Sequence, residues 1–346
     1  MSKTTSMDRV LTTLSHKEPD RVPMFLLLTM HGAKELGMSL KEYYSKAKNV
    51  VEGQKMLLNK YNNDCLFPFF YASVETEAMG GEVIYYDDGP PNSGEPIIKK
   101  PEDIDSLEMP DFSRAPSLIK VLEATEALKE YSKNEVPLIN VVMSPFSIPV
   151  MQMGFEGYLE LMMENEEYFW KLMDFNIEFC VNWANLQLKA GATAICYFDP
   201  VSSTTIITRD QYIQKGFQVA QKTISRINGP TATHFASGRC LPIIDLLPET
   251  GTGGIGVSCL EDLEEIKSKA KDKLAVFGNL NAIEMVRWTK KQAENKVKEA
   301  IEKAAPGGGF ILSDNHGEIP FYVKEETLLS ISEAVKKYGR YPLNND

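Results

Sequence analysis

The sequence has no excess of positive charge: 37 Lys and Arg stand against 48 Asp and Glu, for a formal net charge of −11 over 346 residues. A nucleic-acid-binding protein would show a basic patch, so this balance argues against that class. No stretch approaches the ~20 apolar residues of a membrane span, and the first residues form no apolar signal segment. We therefore expect a cytoplasmic protein with neither a membrane nor a nucleic-acid partner.

Cysteine and histidine are also scarce. The five cysteines are scattered and form no C-x-x-C pair, which favours a reducing compartment with mostly buried thiols. There are only four histidines, and two of them follow short β-prone runs. These are His234, after 231–233, and His316, after 310–312. Their similar placement suggests one shared site at one end of a parallel sheet.

A G-x-G-x-x-G motif is missing after the first predicted strand, which disfavours a doubly wound dinucleotide fold. Instead, eight short apolar segments alternate with helical patterns. Apolar strands alternating with helices imply a parallel sheet covered on both faces, and eight such units predict a (β/α)8 TIM barrel. The predicted strands are 22–28, 64–67, 137–142, 192–198, 230–233, 254–257, 274–277 and 310–312.

The barrel is expected to occupy residues 1–346 as a single α/β domain, a length that such barrels reach. A Gly/Pro-rich turn at 89–94 predicts a hairpin-bearing insertion at about 70–116, whose last part, 101–116, is expected to be an extended acidic linker. A helix is predicted over 240–247.

Active-site residues of such barrels lie at the carboxyl ends of the strands. Polar residues are concentrated just past the predicted strand ends, and their convergence on one cup predicts an enzyme. The set is His31, Glu75, Ser144, Asp199, His234, Cys259, Asn279, Asp314 and His316.

Each of these residues also has a purely structural interpretation. Asp199 and Asn279 could cap helices, and Cys259 could be a small buried hydrophobe. Glu75 and Glu77 are two residues apart, so in an extended segment only one of them can face the cup. The two histidines could be hydrogen-bonded structural residues, or zinc ligands together with a carboxylate or a thiolate.

Several stretches of the chain resemble the uroporphyrinogen decarboxylase superfamily over essentially the whole length. The matching stretches include Arg21-Val-Pro, Glu75-Thr-Glu-Ala-Met-Gly, Asp199-Pro, Thr233-His-Phe-Ala-Ser-Gly, Phe277-Gly-Asn-Leu-Asn and Gly309-Phe-Ile-Leu-Ser-Asp-Asn-His-Gly. The resemblance implies the same barrel fold. Two branches of that superfamily are then possible.

The decarboxylase branch, metal-free, carries an arginine-rich segment after its first strand to hold a tetrapyrrole with eight carboxylates. Residues 26–33 of this chain contain no arginine, and buried substrate carboxylates without partners are costly. His316-Gly317 still resembles the late His-Gly of that branch. A decarboxylase acting through Asp199 and His316 therefore stays as one alternative, and a non-catalytic barrel that binds a corrinoid or tetrapyrrole partner as a scaffold stays as a second.

The second branch comprises cobamide-dependent methyltransferases, including methylcobamide:coenzyme M methyltransferases and the first methyltransferases of O-demethylase systems. Their resemblance implies a Zn²⁺ ion and a corrinoid (cobalamin) carried by a partner corrinoid protein. In the coenzyme M enzymes the metal is held by a His-x-Cys pair and a later Cys. Here His234 is kept, Ala236 takes the Cys position and His316 the later one.

The resemblance thus implies a zinc-dependent methyltransferase that moves a methyl group between a small, methoxylated substrate and the cobalt of a separate corrinoid protein. A nitrogen- and oxygen-rich site suits O-demethylation better than activation of a thiol. The expected roles are metal ligation by His234, His316 and Cys259, with Glu75 or Asp314 as alternatives, catalysis by Asp199, Asn279 and Glu75, and substrate binding by His31, Tyr197 and Asp314.

Overall fold

The computed structural model describes residues 4–343, and its centre is a parallel sheet of seven strands. A separate antiparallel pair, β2 with β3, lies within residues 70–116. The strands are β1 (Met24–Phe25), β2 (Val83–Ile84), β3 (Asn92–Ser93), β4 (Ile139–Met143), β5 (Ala194–Phe198), β6 (Thr231–His234), β7 (Gly254–Gly256), β8 (Ala275–Leu280) and β9 (Phe310–Asp314).

The sheet order is β1-β9-β8-β7-β6-β5-β4, and residues 64–66 close it into a barrel. Leu66 forms a parallel bridge with Leu138 beside β4, and the Asp64 N–H donates to Met24 O on β1 at 2.8 Å. The predicted second strand is therefore reduced to one bridge, but it fills the eighth position. The barrel prediction is confirmed.

Helices surround the barrel and follow the strands in turn. Some of them start at a capping residue, such as Asn165 before α9, whose side chain accepts from the Tyr168 N–H. The helices are α1 (Ser6–Leu14), α2 (His31–Leu36), α3 (Leu40–Tyr43), α4 (Ala47–Tyr61), α5 (Val74–Ala78), α6 (Pro116–Ser132), α7 (Pro149–Met153), α8 (Phe155–Glu164), α9 (Glu166–Ala190), α10 (Arg209–Gln211), α11 (Phe217–Ile224), α12 (Leu263–Ala270), α13 (Ala282–Met285), α14 (Lys290–Ala304) and α15 (Glu325–Tyr338). None of the helices within 4–343 is long and apolar enough to cross a membrane.

Three local predictions are wrong. The helix expected over 240–247 is replaced by two 3-10 turns, Leu241–Ile243 and Leu247–Thr250. Each turn has a proline as its second residue, which has no N–H to donate. The linker expected to be extended begins with a third such turn, Pro101–Ser106. The segment that holds Glu75 is helix α5 and is not extended.

The amino end of the barrel is closed by α1 and a buried ion cluster. Asp64 is 1% exposed and accepts from Arg9 and Arg21, each at 2.7 Å. The Asp64 carboxylate also accepts from the Met24 N–H at 2.8 Å, which ties the cluster to β1. Val10 of α1 packs against the inner cluster of the barrel. The opposite, carboxyl end remains free for a site.

Candidate functional site

The inner face of the barrel carries small side chains on β5 and β6 and is not fully buried. Strand register pairs Cys196 with Ala232 and Phe198 with His234, so these four side chains share the inner face, while Tyr197 belongs to the core beneath the helices. Related barrels usually fill this space with layers of bulky branched residues. Here the inner face keeps partial solvent access at Ile139, Val141, Ala194, Cys196, Phe198, Ala232 and Phe277. We call this open interior the cup.

His234 ends β6 at the inner face, and its ring is fixed on three sides. Nδ1 accepts from the Ala236 N–H at 2.9 Å, and the ring stacks on Phe198 with centroids 5.5 Å apart. On the third side, a Cβ at Gly256 would lie 2.4 Å from His234 Cδ2, so only glycine leaves room. His234 is 6% exposed, and its Nε2 has no hydrogen-bond partner within residues 4–343. Burial, with a contribution from nearby His316, lowers the pKa of His234 to about 4, which keeps the ring neutral at pH 7.

The loop that follows β9 crosses the mouth of the barrel. β5 and β9 are four places apart in the sheet order, on opposite sides of the barrel. Gly317 nevertheless packs against Phe198 of β5, and a Cβ at this glycine would lie 2.7 Å from Phe198 Cε2. Its φ of 92° is a conformation that favours glycine. The loop thereby carries His316 over the cup towards His234.

Two carboxyl groups lie at the root of this loop. Asp314 accepts from the Leu27 N–H at 2.9 Å and from the His316 N–H at 3.4 Å, and Glu318 accepts from the Thr29 hydroxyl. Burial raises the pKa of Asp314 to about 6, and desolvation with the neighbouring Asp314 charge raises that of Glu318 to about 7. Glu318 and Thr29 are missing from the sequence-based set. Glu318 could have been identified from the sequence, because it is a carboxylate two residues after His316, a histidine that follows a predicted strand.

Asp199 lies behind the inner face and supports it. Its carboxylate accepts from the hydroxyls of Ser144, Ser147 and Ser202 at 2.6, 2.8 and 2.6 Å. Its backbone N–H donates to His234 O at 2.8 Å. Burial raises the pKa of Asp199 in spite of these three hydrogen bonds. The arrangement suits a residue that holds the β4 and β5 loops beside His234.

Glu75 and Tyr197 also lie outside the cup. Glu75 is 2% exposed and accepts from the Met143 N–H at 3.0 Å. It shares a cavity of only about 10 Å³ with Trp183 of α9, and burial raises its pKa to about 8. Tyr197 points to the helices, and its hydroxyl has no partner in the described part of the chain. The structure therefore does not bring these two side chains to His234.

Cys259 and Asn279 line a second cavity of about 320 Å³ between the β7 and β8 loops and α14. The Asn279 amide donates to Ser258 O at 3.0 Å, which links the two loops. His31 is buried at the start of α2, and desolvation lowers its pKa to about 3. Of the predicted set, the structure brings together His234 and His316, with Asp314 at the base of the loop.

The donor set does not fit a zinc site. A zinc-bound histidine coordinates through one nitrogen lone pair and usually donates its other N–H to an acceptor. His234 shows the reverse arrangement, because Nδ1 accepts from the Ala236 N–H and the neutral ring must carry its proton on Nε2. Cys259 lies in the neighbouring cavity. In the region from 4 to 343, no three His, Cys, Asp or Glu side chains are grouped so that they could hold a metal ion.

The fold is a parallel α/β barrel, and the candidate site lies at the carboxyl ends of its strands. The family model described as uroporphyrinogen decarboxylase (URO-D) matches residues 5–338. The chain therefore belongs to the uroporphyrinogen decarboxylase family.

Relatives within this family include both methyltransferases and decarboxylases. The chain is 24% identical to the methylcobamide:CoM methyltransferase MtaA of Methanosarcina barkeri, over 90% of this chain and 94% of the relative. It is 22% identical to the uroporphyrinogen decarboxylase of Actinobacillus pleuropneumoniae, over 96% and 97% of the two chains. Among solved structures, a methyltransferase from Methanosarcina mazei matches with a TM-score of 0.87 at 20% identity, over 97% of this chain and 99% of the other. At that identity the structural match shows the shared fold.

Proposed function

We propose that the protein is a methyltransferase that moves a methyl group between a small substrate in the cup and the cobalt of a corrinoid carried by a separate protein. The observation that carries the proposal is the chemistry of the inner face. It consists of phenylalanine, aliphatic and small side chains with two histidines above them, and none of the inward-facing side chains identified in the described strands is a lysine or an arginine. Such a cup suits a small, largely apolar substrate.

The same feature argues against a substrate with many carboxylates. Each buried carboxylate needs a charge-assisted partner, and bidentate arginine is the usual one. Residues 26–33, which follow β1, provide no cationic side chain. On entering the cup, the eight carboxylates of a porphyrinogen would therefore lose their hydrogen bonds to water and would find no cationic side chains from residues 26–33 in their place.

The rim around the cup is suited to a protein partner. Exposed apolar side chains follow β5, β7, β8 and β9 at the same end of the barrel, and such a concentration marks interaction surfaces. They are Ile206, Leu260, Ile283 and Tyr322, which are 38%, 61%, 58% and 61% exposed. Tyr322 donates to Asp88 of the insertion, so the hairpin borders the same rim. A corrinoid protein docked there would place its cobalt above the cup.

In the demethylating direction, the partner's Co(I) supplies the electron pair for the new bond to the methyl carbon. The carbon–oxygen bond of the substrate breaks, and its electron pair stays on the substrate oxygen. The work of this chain is to orient the methyl group towards the mouth, exclude water and stabilise that oxygen. No step is assigned to zinc, because the donor set does not fit that ion.

A decarboxylase is the second candidate, and the carboxyl groups of Asp314 and Glu318 favour it. Their raised pKa values, near 6 and 7, would allow either group to deliver a proton to the carbanion left after loss of CO2. Such chemistry needs neither a metal nor a corrinoid.

The test compares the two reactions on the same preparation. The protein is incubated with free cob(I)alamin and 2-methoxyphenol, in parallel with methylcob(III)alamin and coenzyme M, and cobalamin absorbance is followed. We expect methyl transfer in one of these mixtures and a loss of at least tenfold in His234→Ala. Incubation with uroporphyrinogen alone should yield no decarboxylated product. Decarboxylation without any transfer would overturn the proposal.

A further inference from the structure

The tautomer of His234 is set by its neighbours. The Ala236 N–H can only donate, and at 2.9 Å it occupies the Nδ1 lone pair. A neutral imidazole has one donor and one acceptor nitrogen, so Nε2 carries the proton. This N–H is nine-tenths buried in the cup and has no acceptor within residues 4–343. A buried donor without a partner costs free energy, and a bound ligand with an acceptor would remove that cost.

His316 has the same tautomer for an independent reason. The buried Asn315 amide lies between Leu280 O, which can only accept, and the Cys259 N–H, which can only donate. Its nitrogen therefore faces Leu280 O at 2.9 Å and His316 Nδ1 at 2.6 Å, and its oxygen faces the Cys259 N–H at 3.3 Å. The orientation gives up only a 3.4 Å contact with the Ala282 N–H. His316 Nδ1 must then accept, and its proton is on Nε2.

Both histidines therefore offer an N–H group, where a metal site would need two lone pairs. Gly317, the residue after His316, packs against Phe198, and Phe198 stacks on His234, so the loop that carries His316 meets the ring that contacts His234. Aromatic rings surround them: Phe198 stacks on His234, and Phe277 lies in register with Gly256. N–H donors at the mouth of an aromatic-lined cup are complementary to an anionic oxygen on a flat ring.

We propose that the Nε2–H groups of His234 and His316 form an oxyanion site that binds the single carboxylate or phenolate oxygen group of a small aromatic ligand. This inference deepens the proposed function by naming the substrate class, and it rests on that function for the assignment of the ligand as substrate. Binding itself requires no corrinoid and no methyl transfer, so the two can fail separately.

The tautomers can be measured directly, because the chain has only four histidines. Long-range ¹H–¹⁵N spectra of ¹⁵N-histidine-labelled protein distinguish Nδ1–H from Nε2–H, and His16→Gln, His31→Gln and His316→Gln variants assign the signals. We expect Nε2–H for His234 and His316, unchanged by one equivalent of ZnCl2. Addition of sodium benzoate should shift both Nε2 signals. Metal-bound shifts on adding zinc, with no response to benzoate, would overturn the proposal.

Calorimetric titration with benzoate and with neutral benzamide then separates charge from shape. Loss of a hydrogen bond to a charged group weakens binding about 10- to 100-fold, so we expect benzamide and His234→Ala to show losses of that size. His234→Gln is the matched control, because its amide nitrogen can replace an Nε2–H donor. It should keep benzoate binding within about threefold of the wild type.

The glutamine control also distinguishes the site from a zinc site. Both His234→Ala and His234→Gln would lose a zinc ligand, whereas only the alanine variant loses the donor. Equal loss of benzoate binding in the two variants, or equal affinity of the wild type for benzoate and benzamide, would overturn the oxyanion site. These outcomes stand whether or not methyl transfer to cobalamin is observed.

Discussion

The buried Glu75 carboxyl leads to a prediction on stability that can be worked through quantitatively. Its side chain is enclosed by α9 and the barrel, it accepts one hydrogen bond from the Met143 N–H, and burial raises its pKa from 4.5 to about 8. Between these two values the folded protein holds a proton that the unfolded chain releases. The stability contributed by this group is thus full below the unfolded pKa and is lost as the pH rises through the folded pKa.

The change to test is Glu75→Gln, which cannot ionise and has the same shape. From the two pKa values, the wild type should lose about 2.5 kcal/mol of unfolding free energy relative to the variant between pH 5.5 and 7.5. Equilibrium urea unfolding of both proteins at pH 5.5, 6.5 and 7.5 measures this difference in slope. The slope is independent of any constant packing change that the amide introduces.

Glu75→Met is the control for ionisation against packing. It is also uncharged, so it should share the flatter pH dependence of the glutamine variant, even if its absolute stability differs. If wild type and both variants give parallel pH profiles, Glu75 ionises normally in the folded protein. The argument from burial would then be refuted, and a role for Glu75 as a charged group in the site would regain support.

Three further predictions concern the supports of the cup and the barrel. Gly256→Ala should weaken benzoate binding about tenfold, because the new Cβ would lie 2.4 Å from His234 Cδ2; Gly253→Ala, whose Cβ would meet only Thr231 O at 3.7 Å, should bind like the wild type in the same titration. Asp199→Ala should lower the unfolding free energy by about 3 kcal/mol, because three serine hydroxyls lose their acceptor; a loss below about 1 kcal/mol in urea unfolding would contradict this. Asp64→Asn should cost about 3 kcal/mol, because Arg9 and Arg21 lose a buried counter-charge; thermal unfolding that matches the wild type would show that the cluster is dispensable.

The order of elements was readable from the sequence because barrel strands and helices differ in length and apolar pattern. Seven of the eight predicted strands overlap strands of the sheet, and the eighth is reduced to the Leu66 bridge. The same order places the residues after each strand at one end of the barrel. His234 and His316 could therefore be identified as neighbours before their contacts were known.

The direction of individual side chains was not readable from the sequence. A parallel strand is apolar on both faces, so its sequence does not show whether its odd-numbered or its even-numbered residues face the helices. In β5 and just after it, the odd-numbered residues Tyr197 and Asp199 point away from the cup, whereas Phe198 points into it. Cys259 lies outside the cup. It lines the neighbouring cavity, one wall of which is formed by α14.

Sequence alone thus determined the barrel, its family and the pair of histidines at its mouth, because these depend on local patterns and on chain order. Tertiary structure decided what the histidines can do. The Ala236 N–H and the Asn315 amide fix both protons on Nε2, and neither contact follows from the spacing of ligand-type residues. Histidine is a donor or a ligand according to what its other nitrogen meets, and that is set only when the loops are folded over the cup.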